Sequence, residues 1–221
     1  QWAAIDFSQQ EPRILTHYAK VFGDYRNLNM PGVEEFVKAY NENPNMDFPT
    51  MVAEMADIPR KQAKVINLAM MYGMGAQKLA GQLDISLEDA KALVQKYHRR
   101  KCRFDLWEPD SFEMNKAMPY EEAVAAYGPT TRLKRAFTYK ALNRLIQASA
   151  ADMTKQAMVD CYKSGKTPML QVHDELAFSV KNAEEAVGLA KIMTEAEKLV
   201  VPNKCDIEIG ANWGEFVYIS E

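Results

Sequence analysis

The segments whose own pattern reads as strand lie at the start of this sequence and in its last quarter, with mostly helical patterns between them. Residues 3–7 (Ala-Ala-Ile-Asp-Phe) form a short apolar run of strand length. Residues 169–180 read as two strands meeting at a tight His173-Asp174 turn. Residues 204–210 alternate Cys205, Ile207 and Ile209 with Asp206 and Glu208, the pattern of a half-buried strand. Whether these strands lie in one sheet is left open by their spacing alone.

The intervening helices have local signals. Ser8 and Glu11 make an S-x-x-E capping box, Pro12 is tolerated in a first helical turn, and the helix is expected to reach about Lys20. Residues 23–50, rich in Gly, Pro, Asn and Asp, are expected to be mostly loop with short helices. Asp57 and Pro59 open a helix that Gly73 and Gly75 close, and Ser86 opens another to about Arg100. Residues 101–130 read as irregular. A long helix over 139–163 carries Leu142, Ile146, Ala150, Met153, Ala157 and Cys161 on one stripe. Asn182 and Glu185 cap a last helix, expected to end near Val200.

With 221 residues, 48% of them apolar and 26% charged, the chain can bury a core as one large domain or two small ones. No apolar run approaches the ~20 residues of a membrane-spanning helix. The N-terminus has neither a basic signal-peptide start nor an initiator Met, so residues upstream are expected. Cys102, Cys161 and Cys205, with three scattered histidines, argue against a zinc site or a disulfide framework and suit a reducing compartment. The net charge of −3 is unevenly spread. Residues 58–64, 94–103 and 130–144 hold 13 of the 27 basic residues and no acid, enough to hold a polyanion locally on an otherwise acidic body.

Asp6 ends a strand, and Asp174 and Glu175 lie in a hairpin turn. If those strands are neighbours, Asp6 and Asp174 converge, and a divalent cation relieves their repulsion. Hard carboxylate oxygens favour Mg²⁺, and a pair of such ions ~3.5–4 Å apart serves in-line phosphoryl displacement. Taken alone, Asp in a turn is ordinary. Arg60, Lys64, Leu68 and Tyr72 recur every four residues, so one helix face shows two cations and then two bulky groups.

The combination is more specific than its parts. Asp6-Phe7-Ser8-Gln9-Gln10-Glu11-Pro12-Arg13 resembles motif A of family A DNA polymerases, the DNA polymerase I family. The run from Arg60 to Gly73, with its R-x3-K-x7-YG spacing, resembles motif B, and Gln171-Val172-His173-Asp174-Glu175 is similar to motif C. The three stand in the family's order, and Gln-Gln-Glu-Pro-Arg with Asn212-Trp213 looks most like phage-type members.

The resemblance implies an α+β right-hand polymerase: a palm of antiparallel sheet and packed helices over 1–20 and 131–221, helical fingers over 21–130, and no thumb or exonuclease in these residues. It implies template-directed transfer of dNTPs to a DNA primer 3′-hydroxyl in the host cytoplasm. Asp6 and Asp174 would hold two Mg²⁺ ions with the Phe7 carbonyl, and Glu175 would be an auxiliary carboxylate. Arg60 and Lys64 would grip the triphosphate, Glu11 would exclude a ribose 2′-hydroxyl, and Leu68 and Tyr72 would line the nucleotide pocket. Gly73, Asn143, Gln147 and His173 would touch the DNA. The alternative is a fragment that needs a thumb-bearing partner chain. A single-subunit RNA polymerase, which shares a related palm, is disfavoured by Glu11. The sequence departs from the family at Leu68 (usually aromatic), Pro49 (often His), Ala148 (usually Gly) and the abrupt His98-Arg99-Arg100-Lys101 junction.

Overall fold

The computed structural model describes residues 1–27, 31–71, 74–99, 141–213 and 215–219. Two compact units emerge. The first comprises Gln1–His17, Ala39–Asn45 and Gln147–Glu221; the second comprises Tyr18–Lys38 and Met46–Ile146. The expected readings of 101–130, Cys102 and most of the 130–144 basic stretch fall outside the described residues.

The first unit is organised by β1 (Trp2–Phe7), the central strand of a five-stranded sheet. The other strands are β2 (Leu170–Val172), β3 (Glu175–Ser179), β4 (Cys205–Gly210) and β5 (Phe216–Ile219), in the order β2-β3-β1-β4-β5. Every neighbouring pair is antiparallel. Ala3, Ala4, Ile5 and Phe7 are all buried, so β1 reads as a continuous apolar run instead of an alternating one. His173, in the left-handed region (φ 55°), and Asp174 make the two-residue link from β2 to β3. Gly210 ends β4 where an added Cβ would sit 1.9 Å from the Glu215 carbonyl oxygen, so no other residue fits without moving the backbone.

Two long helices each run through both units: α1 (Gln10–Arg26) and, near the chain's end, α7 (Ala141–Lys163). Within the first unit, α7 buries Met153, Ala157 and Cys161, as the stripe predicts, and Gly165 (φ 90°) stops it. The final helix, α8 (Ala183–Glu195), packs on β4 and β1 through Ala186, Leu189, Ala190 and Met193. Its cap is as the sequence suggests: Asn182 Oδ1 accepts from Glu185 N at 3.0 Å, and Glu185 Oε2 accepts from Lys181 N at 2.7 Å. The helix stops five residues before Val200, because Asn203 Nδ2 donates to the Thr194 and Glu197 carbonyls and turns the chain.

The second unit is helical among its described residues. Besides parts of α1, α2 (Pro31–Glu42) and α7, it holds α3 (Phe48–Ala56), α4 (Arg60–Met71), α5 (Ala76–Leu83) and α6 (Leu87–Arg99). Phe36 and Phe48 stack with ring centroids 4.7 Å apart. The expectation of loop over 23–50 is corrected: α1 runs on to Arg26 and α2 adds twelve helical residues. Several of the residues that suggested loop sit at helix boundaries: Asn27 is in the left-handed region (φ 52°), Pro31 opens α2, and Asn43, Pro44 and Asn45 lie between α2 and Phe48. The Ser8 capping box is also corrected. Gln9 (φ 54°) precedes the first helical residue, its carbonyl accepts from Arg13 N at 3.2 Å, and Ser8 N is taken by the Lys204 carbonyl at 2.9 Å.

Arg13 is 1% exposed. Nε donates to the Ser8 carbonyl at 2.8 Å, Nη1 to Pro202 at 2.5 Å and Nη2 to Pro44 at 2.7 Å, and the guanidinium lies 4.6 Å from the Tyr40 ring centroid. One cation thus ties three separate chain segments of the first unit through their main-chain carbonyls. Replacing it orphans all three acceptors. Arg13→Met is expected to lose about 2–5 kcal/mol of unfolding free energy in urea titration; a loss under about 1 kcal/mol would contradict this role.

His17 Nδ1 accepts from Val200 N at 3.1 Å, which requires an unprotonated ring nitrogen, and burial lowers its pKa below 6.5. The folded pKa lies below the unfolded one, so this contribution is complete above pH 6.5 and is lost as pH falls through the folded value. The thermal midpoint is expected to drop on acidification below pH 6.5, with a shallower slope in His17→Gln. Identical slopes for the two proteins would rule His17 out as a source.

Candidate active site

The register of β1 decides what meets at its end. Asp6 pairs with Glu175 on β3 and with Asp206 on β4. Asp174, in the turn before β3, lies within hydrogen-bonding reach of Asp6. Four carboxyl groups therefore gather at one end of the sheet, two from strands and one from a turn drawn to the penultimate residue of β1. The Asp6 carboxyl is pushed up to about 7 from its ordinary 3.8. Burial is the main cause; the Asp174 charge and a hydrogen bond shared with it come next, then Glu175 and Asp206.

The surrounding cations are unevenly used. Lys204 Nζ binds Asp206 Oδ1 at 2.7 Å. Arg13, its pKa lowered by burial, also feels the Asp206 charge. Among the described residues no Lys or Arg is hydrogen-bonded to Asp6 or Asp174. Phe7 is buried, so only its main-chain carbonyl is available as a donor, and the β1–β3 ladder ends beside it at Asp6–Glu175.

The donor set is hard oxygen throughout, which fits Mg²⁺. Among the described residues, no three His, Cys, Asp or Glu side chains form a group that could hold a metal ion by themselves. Two carboxylates are what Mg²⁺ commonly takes from a protein, the remaining positions going to water and phosphate oxygens.

Other expected residues fall as follows. Glu11 is in the first turn of α1. Gln10, which the sequence reading left without a role, is buried and donates to the Ala150 carbonyl at 3.3 Å and to Thr154 Oγ1 at 3.2 Å, tying the start of α1 to α7. His173 is exposed at the hairpin turn, and its carbonyl accepts from Gln171 Nε2 at 3.1 Å. Asn143 and Gln147 sit one turn apart on α7, half-buried and exposed.

In the second unit, Arg60 and Lys64 stand one turn apart on the exposed side of α4, whose Ala63, Ile66 and Ala69 are buried. Arg60 is engaged by Asp47: Nε to Oδ2 at 2.8 Å and Nη2 to Oδ1 at 2.9 Å. That ion pair holds the Asp47 carboxyl below its ordinary value, first through the Arg60 hydrogen bonds. Leu68 lies on α4 one turn after Lys64; Tyr72 and Gly73 fall outside the described residues.

Asp206, Lys204 and Asp47 are additions to the expected set. Asp206 was visible only as the polar half of an alternating strand, and nothing local announces its register against Asp6. Asp47 had no reading of its own in the sequence, and only the structure makes it the cap of α3 and the partner of Arg60.

Comparison with known proteins points to one family. Residues 1–215 match the family described as DNA polymerase family A. The chain is 36% identical to a DNA-directed DNA polymerase of Pseudomonas phage M6, over 96% of this chain and 38% of that protein. It is 29% identical to the thermostable DNA polymerase I of Thermus aquaticus, over 95% of this chain and 26% of that enzyme. Among solved structures, the POL domain of Pol1 from M. smegmatis, in complex with DNA primer-template and dNTP, is similar with a TM-score of 0.69 and 27% identity, covering 93% of this chain and 38% of that one. The chain thus spans less than two fifths of the length of these relatives. Among the described residues no helix is long and apolar enough to cross a membrane. A strand-end aspartate meeting a hairpin-turn aspartate, motifs in the matching order and a match over nearly the whole chain lead to one assignment: the chain belongs to DNA polymerase family A.

Proposed function

We propose that this chain carries the nucleotidyl-transfer centre of a template-directed DNA polymerase. The observation that carries the reading is the meeting of Asp6 and Asp174 at one end of the sheet, without a cation of the protein's own between them. In the reaction the primer 3′-oxygen bonds to the α-phosphorus of a dNTP, the bond from that phosphorus to the bridging oxygen breaks, pyrophosphate leaves, and the hydroxyl proton passes to solvent. Two Mg²⁺ ions, when bound, supply charge neutralisation for the attacking and leaving oxygens.

The protein's part is to hold and orient. Asp6 and Asp174, with the Phe7 carbonyl, would hold the ions, and Glu175 would assist from beside Asp6. Arg60 and Lys64 would grip the triphosphate through charge-assisted hydrogen bonds. Glu11 would fill the space that a ribose 2′-hydroxyl needs. Asn143 and Gln147 would offer amide donors to the minor-groove acceptors shared by all base pairs. His173 would meet the primer end, Tyr72 and Gly73 the templating base. The first unit would act as palm and the second as fingers. Grip on the duplex beyond the site would fall to a thumb from other residues or a partner chain, and the host cytoplasm is the compartment this function suits.

Asp6→Asn is expected to lower primer extension at least about a hundredfold, since even outer partners of a metal ligand commonly cost 10–100-fold. The same change is expected to stabilise the metal-free protein. The raised pKa means that keeping Asp6 charged in the folded state is unfavourable, a penalty that grows from pH 3.8 to about 7 and stays above it. In chelator at pH 8, Asp6→Asn should melt higher, by about 2–4 °C per kcal/mol regained, and the gap should close toward pH 4. Near-normal extension by Asp6→Asn would overturn the functional reading.

Leu68 is the second test. Family members usually have an aromatic ring there, against the incoming sugar. Leu68→Phe is expected to raise kcat/KM for dNTPs by about 2- to 10-fold, the value of one aromatic contact, in single-turnover kinetics. Unchanged values would remove Leu68 from the nucleotide pocket.

A further inference from the structure

We infer that Asp47 is a positioning residue for triphosphate binding, acting through Arg60; this rests on the proposed role of Arg60. Asp47 is itself immobilised. It caps α3 (φ −87°, ψ 105°), where Oδ2 accepts from Thr50 N at 2.9 Å and from the Thr50 hydroxyl. From that fixed point its two oxygens take one edge of the Arg60 guanidinium, Nε and Nη2, and Thr50 Oγ1 accepts from Nε at 3.1 Å. A guanidinium has a second edge, formed by Nη1 and the outer N–H of Nη2. Among the described residues that edge makes no hydrogen bond. It is the edge on which a phosphate can be gripped by two parallel hydrogen bonds.

The same contact could instead lock Arg60 away from substrate, and magnitudes decide between the two. The Arg60 side chain is 59% exposed and that of Asp47 38%. An ion pair this open is weak and screened by salt, so it cannot withhold a cation from a triphosphate bearing several negative charges. What it can do is restrict a long, rotamer-rich side chain before the nucleotide arrives, so that less freedom is lost on binding. The Asp47 carboxyl, held below its ordinary pKa, keeps this charge at neutral pH.

The test uses the full chain on a dideoxy-terminated primer–template, with titration of the next correct dNTP in Mg²⁺ and steady-state kinetics alongside. Asp47→Asn retains the helix cap, because Asn caps as well as Asp, but loses the charge and one of the two acceptors for Arg60. The expected result is a dNTP Kd and KM about 3- to 10-fold higher with kcat within about twofold, the mark of lost uniform binding. Arg60→Ala should be weaker still, and Asp47→Asn should add nothing in an Arg60→Ala background. Unchanged or tighter dNTP binding by Asp47→Asn overturns the inference, as does an equal loss in both backgrounds. If Arg60→Ala itself leaves dNTP binding unchanged, the role of Arg60 in the proposed function fails instead.

Discussion

Three acidic residues share one level across three adjacent strands, and much of the first unit follows from that placement. Glu175, Asp6 and Asp206 are direct cross-strand partners, and Asp174 enters from the adjoining turn. Like charges directly opposite each other weaken a sheet. The register is nevertheless held, because a slip of one residue would turn Ala4 and Ile5 of a strand buried on both faces out of their places. The apolar body of β1 thus forces its charged end into a conflict that water alone does not relieve.

The relief available within the protein is partial and one-sided. Lys204 and Arg13 offset Asp206. Arg13 does this while its three carbonyl bonds tie the start of α1, the residue 44 segment and the residue 202 segment together. Gln10, three residues earlier, fixes the same helix start to α7. The site therefore rests on strands and buried polar links, which hold side chains more closely than a loop does. Among the described residues, Asp6, Asp174 and Glu175 are left without a Lys or Arg hydrogen-bonded to them, and the proposed function assigns that unrelieved charge to bound cations.

How much of this could be read in advance depends on whether the cause is local. The His173-Asp174 turn, the Asn182 cap and the α7 stripe are each written in a few neighbouring residues, and each appears as the pattern predicts. The convergence of Asp6 with Asp174 was conditional on strand pairing, and the motifs supplied that condition. The role of Asp206 was not legible, because register is a property of two distant strands. Nor was Arg13, whose acceptors come from three segments far apart in sequence. Residues 23–50 failed for a different reason: turn-forming residues at helix ends were counted as if they filled the interval, although α2 needs only its boundaries to be broken.

The two kinds of charge also respond differently to pH. Asp6 has been moved to about 7, inside the physiological range, by burial and neighbouring carboxyls. Arg60 stays protonated at any pH at which the protein is folded, and Asp47 beside it stays ionised well below neutrality. Acidification of the metal-free protein therefore discharges Asp6 first and leaves the Arg60–Asp47 pair intact. The two charged features thus differ in cause: burial among like charges moves the Asp6 carboxyl up toward neutrality, whereas an opposite charge at hydrogen-bonding distance holds the Asp47 carboxyl down.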